Sequence, residues 1–142
     1  MGGLDIHHLE ADDIDKAFVL ARLGYHDLPI ANWRKMAAAA ISGAGKGGQI
    51  LFAQDEEHRA RGLLIYAITP TISGNPCLSV ERLVAFDLID PQPVADALAN
   101  EVMRVAREKR CGSFSLVAPL EVPSAASAQV LTSPVAVLHR IF

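Results

Sequence analysis

Several patterns that mark particular classes of protein are missing from this chain. It has two cysteines, Cys77 and Cys111, which stand far apart at no metal-type spacing and so argue against a disulfide framework or a cysteine zinc site. The formal net charge is -3 and no basic stripe is present, so we expect no nucleic-acid partner. The uncharged segment 122–138 is interrupted by Pro123 and Pro134, so we expect no membrane partner either.

What the chain does contain is typical of a folded domain. Hydrophobic residues make up 51% and charged residues 20%, which excludes a disordered chain, and 142 residues suffice for one domain with a real core over 1–142. The first residues lack the basic and then apolar pattern of a signal peptide, so we expect a cytoplasmic protein with reduced thiols. The apolar content favours a homodimer.

The spacing of apolar residues predicts the order β-α-α-β-β-β-α-β-α-β. Val94, Leu98, Val102 and Val105 form one helical face, and Trp33 begins another that continues through Met36, Ala37, Ala40 and Ile41. A strand–helix–strand unit over 78–117 predicts a right-handed parallel crossover beside antiparallel hairpin strands. The fold class is therefore α/β, an α+β mixed sheet with helices on both faces. Strands are expected at 6–9, 49–54, 61–68, 78–86, 113–117 and 135–142, and helices at 14–24, 27–41, 94–110 and 125–131.

This order, together with several segments, resembles the GNAT fold of the Gcn5-related N-acetyltransferases. The resemblance covers about 6–117 and implies a single GNAT-like acyl-CoA N-acyltransferase domain with a shortened C-terminal part. It also implies acetyl-CoA or another acyl-CoA as co-substrate, no metal, and a small-molecule or peptide amine as acceptor. The matching segments are the opening strand and acid-capped helix at 6–14, the central hairpin at 51–64, the strand end at 83–87, and the cofactor helix with its following strand at 94–117.

The strand-to-helix junction at 90–95 departs from the family pattern. The family has Arg or Gln, two residues, Gly, one residue, and Gly or Ala, whose backbone N–H groups hold the pyrophosphate of coenzyme A. Here Ala95 alone fits, Asp90 brings a negative charge, and Pro91 and Pro93 each remove a donor. The residues themselves support a different interpretation, in which Asp90 caps the helix and Pro91 is its first residue.

The resemblance also implies cofactor contacts around this junction. The N–H groups that survive there belong to Gln92, Val94 and Ala95, which we expect to carry any pyrophosphate contact. The backbone near Ala85 is expected to orient the acyl group. A tyrosine that can protonate the leaving thiolate in the family has no counterpart near Leu131.

Candidate residues for acceptor chemistry lie elsewhere in the chain. Glu81, inside the fourth strand, is a candidate general base, although it could equally lie on a solvated edge or pair with Arg82. Tyr25, His26 and Trp33 flank the region between the first two helices, where the resemblance places the acceptor cleft. Core packing explains Trp33 equally well.

Two functions from different classes follow from the sequence. The first is an acyl-CoA-dependent N-acyltransferase, in which an amine attacks the thioester directly. The second is a non-catalytic dimer or ligand-binding module that keeps the GNAT fold and has lost coenzyme A binding. A metal site is not expected, because His7 and His8 are adjacent on a strand and point to opposite faces.

Overall fold

A computed structural model describes residues 3–43 and 48–116 and two later strands, at 120–121 and 138–141. It contains a seven-stranded sheet and three α-helices, the first preceded by a single 3-10 turn at Ala11–Asp13. The strands are β1 (Asp5–His8), β2 (Gln49–Gln54), β3 (Ala60–Thr69), β4 (Cys77–Ala85), β5 (Ser113–Leu116), β6 (Leu120–Glu121) and β7 (Leu138–Ile141). The helices are α1 (Ile14–Gly24), α2 (Ile30–Ser42) and α3 (Gln92–Glu108).

The sheet is mixed, as the sequence predicts. Its order is β1-β2-β3-β4-β5-β7, and β6 pairs with β4 beside β5. The first four strands are antiparallel neighbours, whereas β4 and β5 run parallel across the α3 crossover. The two-residue strand β6 was not predicted, because so short a segment has no periodicity. The helix expected at 125–131 lies outside the described residues.

Helices cover both faces of the sheet and divide the core into two clusters. On one face, α3 buries Val94, Leu98, Val102 and Val105, so its predicted apolar face is confirmed. On the other face, α1 and α2 pack around Trp33. The apolar face of α2 is narrower than predicted, because Trp33, Ala37 and Ala40 are buried at helical spacing while Met36 and Ile41 flank that row and stay partly exposed.

The edge strand β1 is anchored to α1 by a histidine between two carboxylates. The Nε2 atom of His7 lies 2.9 Å from Asp13 Oδ2, and its Nδ1 atom lies 3.2 Å from Asp5 Oδ2. Burial lowers the pKa of His7, but the hydrogen bond to Asp13 and the nearby carboxylates outweigh burial and raise the pKa above 6.5. In its protonated form the imidazole therefore helps hold β1 in place.

The described residues contain neither a membrane-spanning helix nor a cluster of metal ligands. Across the described ranges, no helix is both long enough and apolar enough to cross a membrane. In the part of the chain that the structure describes, no group of three or more histidine, cysteine or acidic side chains is placed to hold a metal ion.

Candidate active site

A bulge in β4 places two charged residues on one face of the sheet. The register with β3 pairs Ile65 with Arg82 and Tyr66 with Val80, so Glu81 is the extra residue. Side-chain burial shows the same shift in register. Leu78 and Val80 before the bulge, and Leu83 and Ala85 after it, all pack in the core cluster beneath α3. Regular alternation would give those two pairs opposite faces. Glu81 and Arg82 are therefore both turned toward the α1–α2 face.

Both charged side chains meet the same aromatic residue. Tyr25 directly follows α1, and its hydroxyl donates a 2.7 Å hydrogen bond to Glu81 Oε2. The guanidinium carbon of Arg82 lies 4.9 Å from the centre of the Tyr25 ring, a cation–π contact. Tyr25 is half-buried and Glu81 is exposed, so the carboxylate stays open to a ligand from solvent. Two of the predicted site residues, Tyr25 and Glu81, are thus in direct contact.

The charges in this cluster are not neutralised by each other. Burial, followed by the hydrogen bond to Glu81, raises the pKa of Tyr25 well above its ordinary value of 10.0, so the phenol keeps its proton and stays a donor. Among the described residues, Arg82 forms no ion pair, and its buried Nε atom has no hydrogen-bond partner. The alternative in which Glu81 pairs with Arg82 is therefore not seen.

The outer edge of β4 is interrupted beside this cluster. On that edge β5 pairs with Cys77 through Val80, and β6 pairs with Leu83 and Val84. Among the described pairings on this edge, none involves Glu81, Arg82 or the last residue of the strand, Ala85. The bulged segment therefore lies between two described stretches of pairing, next to the exposed carboxylate.

The backbone N–H groups from Ile89 to Ala95, at the end of the turn and the start of α3, are all bonded within the protein. The N–H groups of Ile89 and Asp90 donate to Asp87 Oδ1 at 2.8 and 3.2 Å, and that of Gln92 donates to Asp90 Oδ1 at 3.0 Å. The N–H groups of Val94 and Ala95 both donate to the carbonyl of Pro91 at 3.1 Å. Since Pro91 and Pro93 have no N–H, none of these described residues from 89 to 95 has a free backbone donor.

The carboxylates in the turn act as internal anions. Hydrogen bonds from the Ile89 and Asp90 backbones lower the pKa of Asp87, which stays ionised. Asp90 accepts from the N–H two residues ahead, which is the geometry of an Asx turn just before the helix. The N-cap position itself is Pro91, so the predicted roles of Asp90 as N-cap and Pro91 as first helical residue are each displaced by one residue, although the Asp90 carboxylate still bonds an N–H group at the helix start.

The predicted cofactor residues are placed unevenly around this turn. Gln92 is exposed, and its side-chain amide donates to Asp96 Oδ1 at 2.8 Å. The side chains of Val94 and Ala95 are buried against the sheet. Ala85 is fully buried at the end of β4, where it pairs with Gly62. These residues are neighbours along one strand-to-helix connection, separate from the Tyr25–Glu81 contact.

The predicted acceptor residues are split between cleft and core. Tyr25 lines the cluster described above, and His26 beside it is exposed with no hydrogen bond or ion pair to the described residues. Trp33 is 0% exposed, and its indole N–H donates to the carbonyl of Ile14 at 2.7 Å. In this conformation Trp33 is inaccessible to an acceptor and serves packing between α1 and α2.

Two residues of functional interest were missed by the sequence reasoning. Arg82 was considered only as a partner for Glu81, because nothing in the local sequence signals a bulge. Asp87 was not considered, although an aspartate just after a strand and before a turn commonly bonds to the N–H groups that follow it. That signal was present in the sequence.

The mixed sheet with helices on both faces matches the fold of solved GNAT acetyltransferases. The structure resembles an aminoglycoside N-acetyltransferase, AAC(6')-Iy, solved with CoA, at a TM-score of 0.69 and 12% identity, covering 100% of this chain and 93% of that chain. It also resembles a glucosamine-6-phosphate N-acetyltransferase from Arabidopsis thaliana, at a TM-score of 0.68 and 13% identity, covering 99% and 98% of the two chains.

A third similar structure is a ribosomal-protein-alanine N-acetyltransferase from Brucella melitensis biovar Abortus 2308, at a TM-score of 0.67 and 16% identity, covering 94% of this chain and 93% of that chain. No protein-family model matches the sequence, and no curated protein matches it. The chain therefore has the GNAT fold, and at these identities the likeness establishes the fold alone.

Proposed function

We propose that this protein is an N-acyltransferase that moves an acyl group from an acyl-CoA thioester to an amine. The observation that carries the proposal is the exposed Glu81 carboxylate, which a bulge turns toward Tyr25 beside the interrupted edge of β4. Support comes from the similar solved structures, which are named as N-acetyltransferases acting on three different acceptors. Fold likeness does not itself fix an activity, so the chemistry must come from the site.

The residues of the cluster can perform the proton transfer that the reaction needs. Acyl-CoA supplies an activated acyl group; as the acceptor nitrogen forms the new C–N bond, the C–S bond breaks. Glu81 takes the proton that the amine loses and returns it to solvent, while the leaving thiolate needs no acid from the protein. The hydroxyl of Tyr25 holds the carboxylate in position through its 2.7 Å hydrogen bond.

The start of α3 is poorly suited, in this conformation, to binding the acyl-CoA. A pyrophosphate at the start of α3 needs free N–H groups, and those of Gln92, Val94 and Ala95 are already bonded within the protein. Asp87 and Asp90 also place two negative charges at the same turn. Binding of acyl-CoA there requires these carboxylates to release the N–H groups, or contacts outside the turn.

The experiment is acyl transfer measured by mass spectrometry of the acceptor, with acetyl-, propionyl- and octanoyl-CoA and a panel of amines. Calorimetric titration of each acyl-CoA is run in parallel. We expect a mass increase that depends on Glu81, because Glu81→Gln keeps the shape and removes the base. Failure of every acyl-CoA to bind or to react would refute the proposal.

A second function is favoured by the backbone N–H groups from Ile89 to Ala95, which are all bonded within the protein. In this alternative the chain keeps the GNAT fold as a non-catalytic ligand-binding module or homodimer and binds no coenzyme A. Coenzyme A does not bind in this alternative because the backbone N–H groups that would hold its phosphates are bonded to Asp87, Asp90 and Pro91.

The double substitution Asp87→Ala with Asp90→Ala separates the two functions. It frees three backbone N–H groups and removes two negative charges, at a cost of about 1 kcal/mol per lost side-chain hydrogen bond. Asp96→Ala, in the first turns of α3 but bonded to the Gln92 side chain, is the matched control. Coenzyme A binding that appears only in the double variant supports the module; equal binding by the unaltered protein and Asp96→Ala supports the transferase.

A further inference from the structure

The cluster at the bulge carries a positive group that the proposed proton transfer does not use. Arg82 and Glu81 face the same side of β4 and both contact Tyr25, by cation–π stacking and by a hydrogen bond. Neither forms an ion pair with the other or with any of the described residues. A guanidinium and a carboxylate are thus presented side by side, each with its charge unmatched.

The position of Arg82 is fixed by its surroundings. Its aliphatic stem passes close to Gly24, where an added Cβ would lie 3.7 Å from Arg82 Cδ. Its head is stacked on Tyr25, and its Nε atom is buried without a partner. The terminal N–H groups of this partly exposed side chain form no hydrogen bond or ion pair with the described residues, so they are available to a ligand that supplies an acceptor. A stacked, fixed guanidinium is suited to bidentate binding of a carboxylate or a phosphate.

We propose that Arg82 binds an anionic group of the acceptor, so that the acceptor is an amine that also carries an acid, as a free amino acid does. The ammonium or amine of such a ligand meets the Glu81 carboxylate, and its carboxylate or phosphate meets the Arg82 guanidinium. Arg82 is then a specificity-determining residue. This inference rests on the proposed function for its use in catalysis, but the binding itself needs no acyl donor.

The test is ligand binding to the unaltered protein without coenzyme A. Saturation-transfer NMR is recorded with an equimolar mixture of L-amino acids, with the mixture of their amides, and with O-phosphoethanolamine against ethanolamine. The amides and ethanolamine keep the amine and lack the acid. We expect the acid-bearing compounds to bind about ten- to a hundredfold more tightly, since charge-assisted hydrogen bonds to Arg82 are lost in the others.

Variants assign that difference to Arg82. In Arg82→Met the stem remains and the charge is lost, so acids and amides should bind equally weakly. Arg82→Lys keeps the positive charge but loses the planar guanidinium that can form two parallel hydrogen bonds. We therefore expect it to bind the acid-bearing compounds with intermediate affinity. Arg22→Met is the matched control, because Arg22 also stacks on an aromatic ring, Phe18 at 5.9 Å, away from the bulge.

These binding experiments test the role of Arg82 separately from acyl transfer. Equal binding of acids and amides by the unaltered protein, or no binding of either, overturns the inference even when acyl transfer is observed. Preference for acids that survives in Arg82→Met also overturns it. Preference that is lost in Arg82→Met and kept in Arg22→Met supports it, even when no acyl group is transferred. A preference confined to O-phosphoethanolamine identifies the anionic group as phosphate.

Discussion

Replacing Gly62 by alanine tests how closely α3 packs on the sheet. Gly62 pairs with Ala53 on one side and Ala85 on the other, which makes a row of small residues beneath the helix. A Cβ added at this position would lie 2.6 Å from Leu98 Cδ1 and 2.8 Å from Val94 Cγ1, inside normal contact distance. Either the helix or these buried side chains must move.

The magnitude follows from two opposing effects. Overpacking a well-packed core costs about 1–3 kcal/mol, and alanine recovers about 0.5–1 kcal/mol of backbone entropy relative to glycine in a strand. Because contacts of 2.6 and 2.8 Å put this site in the upper part of the overpacking range, we expect Gly62→Ala to lower the free energy of unfolding by about 1–2.5 kcal/mol. Urea denaturation followed by fluorescence of Trp33, the one tryptophan and fully buried, measures the change directly.

Two further variants test the reasoning. Gly3→Ala is the control, because an added Cβ there meets nothing within 4 Å, and its stability should match the unaltered protein. Leu98→Val removes the atom nearest the added methyl group, so the double variant should be more stable than the sum of the single changes predicts, by about 0.5 kcal/mol or more. Strict additivity, or a Gly62→Ala protein as stable as the original, would refute the close-packing argument.

Three other predictions concern the site and the N-terminal strand. Glu81→Gln should lower kcat/KM for acyl transfer about 100-fold while the exposed Glu57→Gln leaves it unchanged, as measured by product mass spectrometry. Tyr25→Phe should lower the same ratio about tenfold with unfolding unaltered, and an undiminished rate would contradict its positioning role. Because the native pKa of His7 is raised, its contribution is fully present below pH 6.5 and is lost as pH rises through the native value. His7→Gln should therefore cost about 1 kcal/mol at pH 6 and progressively less above pH 7 in urea titrations; an equal cost at every pH would argue against the ion pair.

Most of the fold could be predicted because its elements have regular patterns. The α3 face repeats Val94, Leu98, Val102 and Val105 at helical spacing, and the structure buries all of them on one side. The β2–β3 hairpin follows from two apolar runs around a charged turn. The pairing of β6 with β4 has no such pattern, because β6 is only two residues long and lies far from β4 in the chain.

The candidate site was less predictable, because it depends on where regularity breaks. Two successive charges at 81 and 82 within a strand suggest one inward and one outward side chain, and only the register with β3 shows that both turn the same way. That Asp90 bonds an N–H group at the start of α3 could be predicted, since this preference is local, but the helix begins one residue later than predicted, with Pro91 as its N-cap. The hydrogen bonds to Asp87 depend on the turn geometry beyond the strand, which the sequence interpretation did not include.

The extra residue in β4 has a consequence for how this strand tolerates change in length. Deleting Glu81 would join Val80 to Arg82 in plain alternation, and every buried side chain of β4 would keep its present face. A chain shortened by this one residue should therefore fold at least as well as the original. Glu81 adds nothing to the core. A variant that lacks this residue would keep the GNAT fold, and Arg82 would then be without a neighbouring opposite charge on the same face of β4.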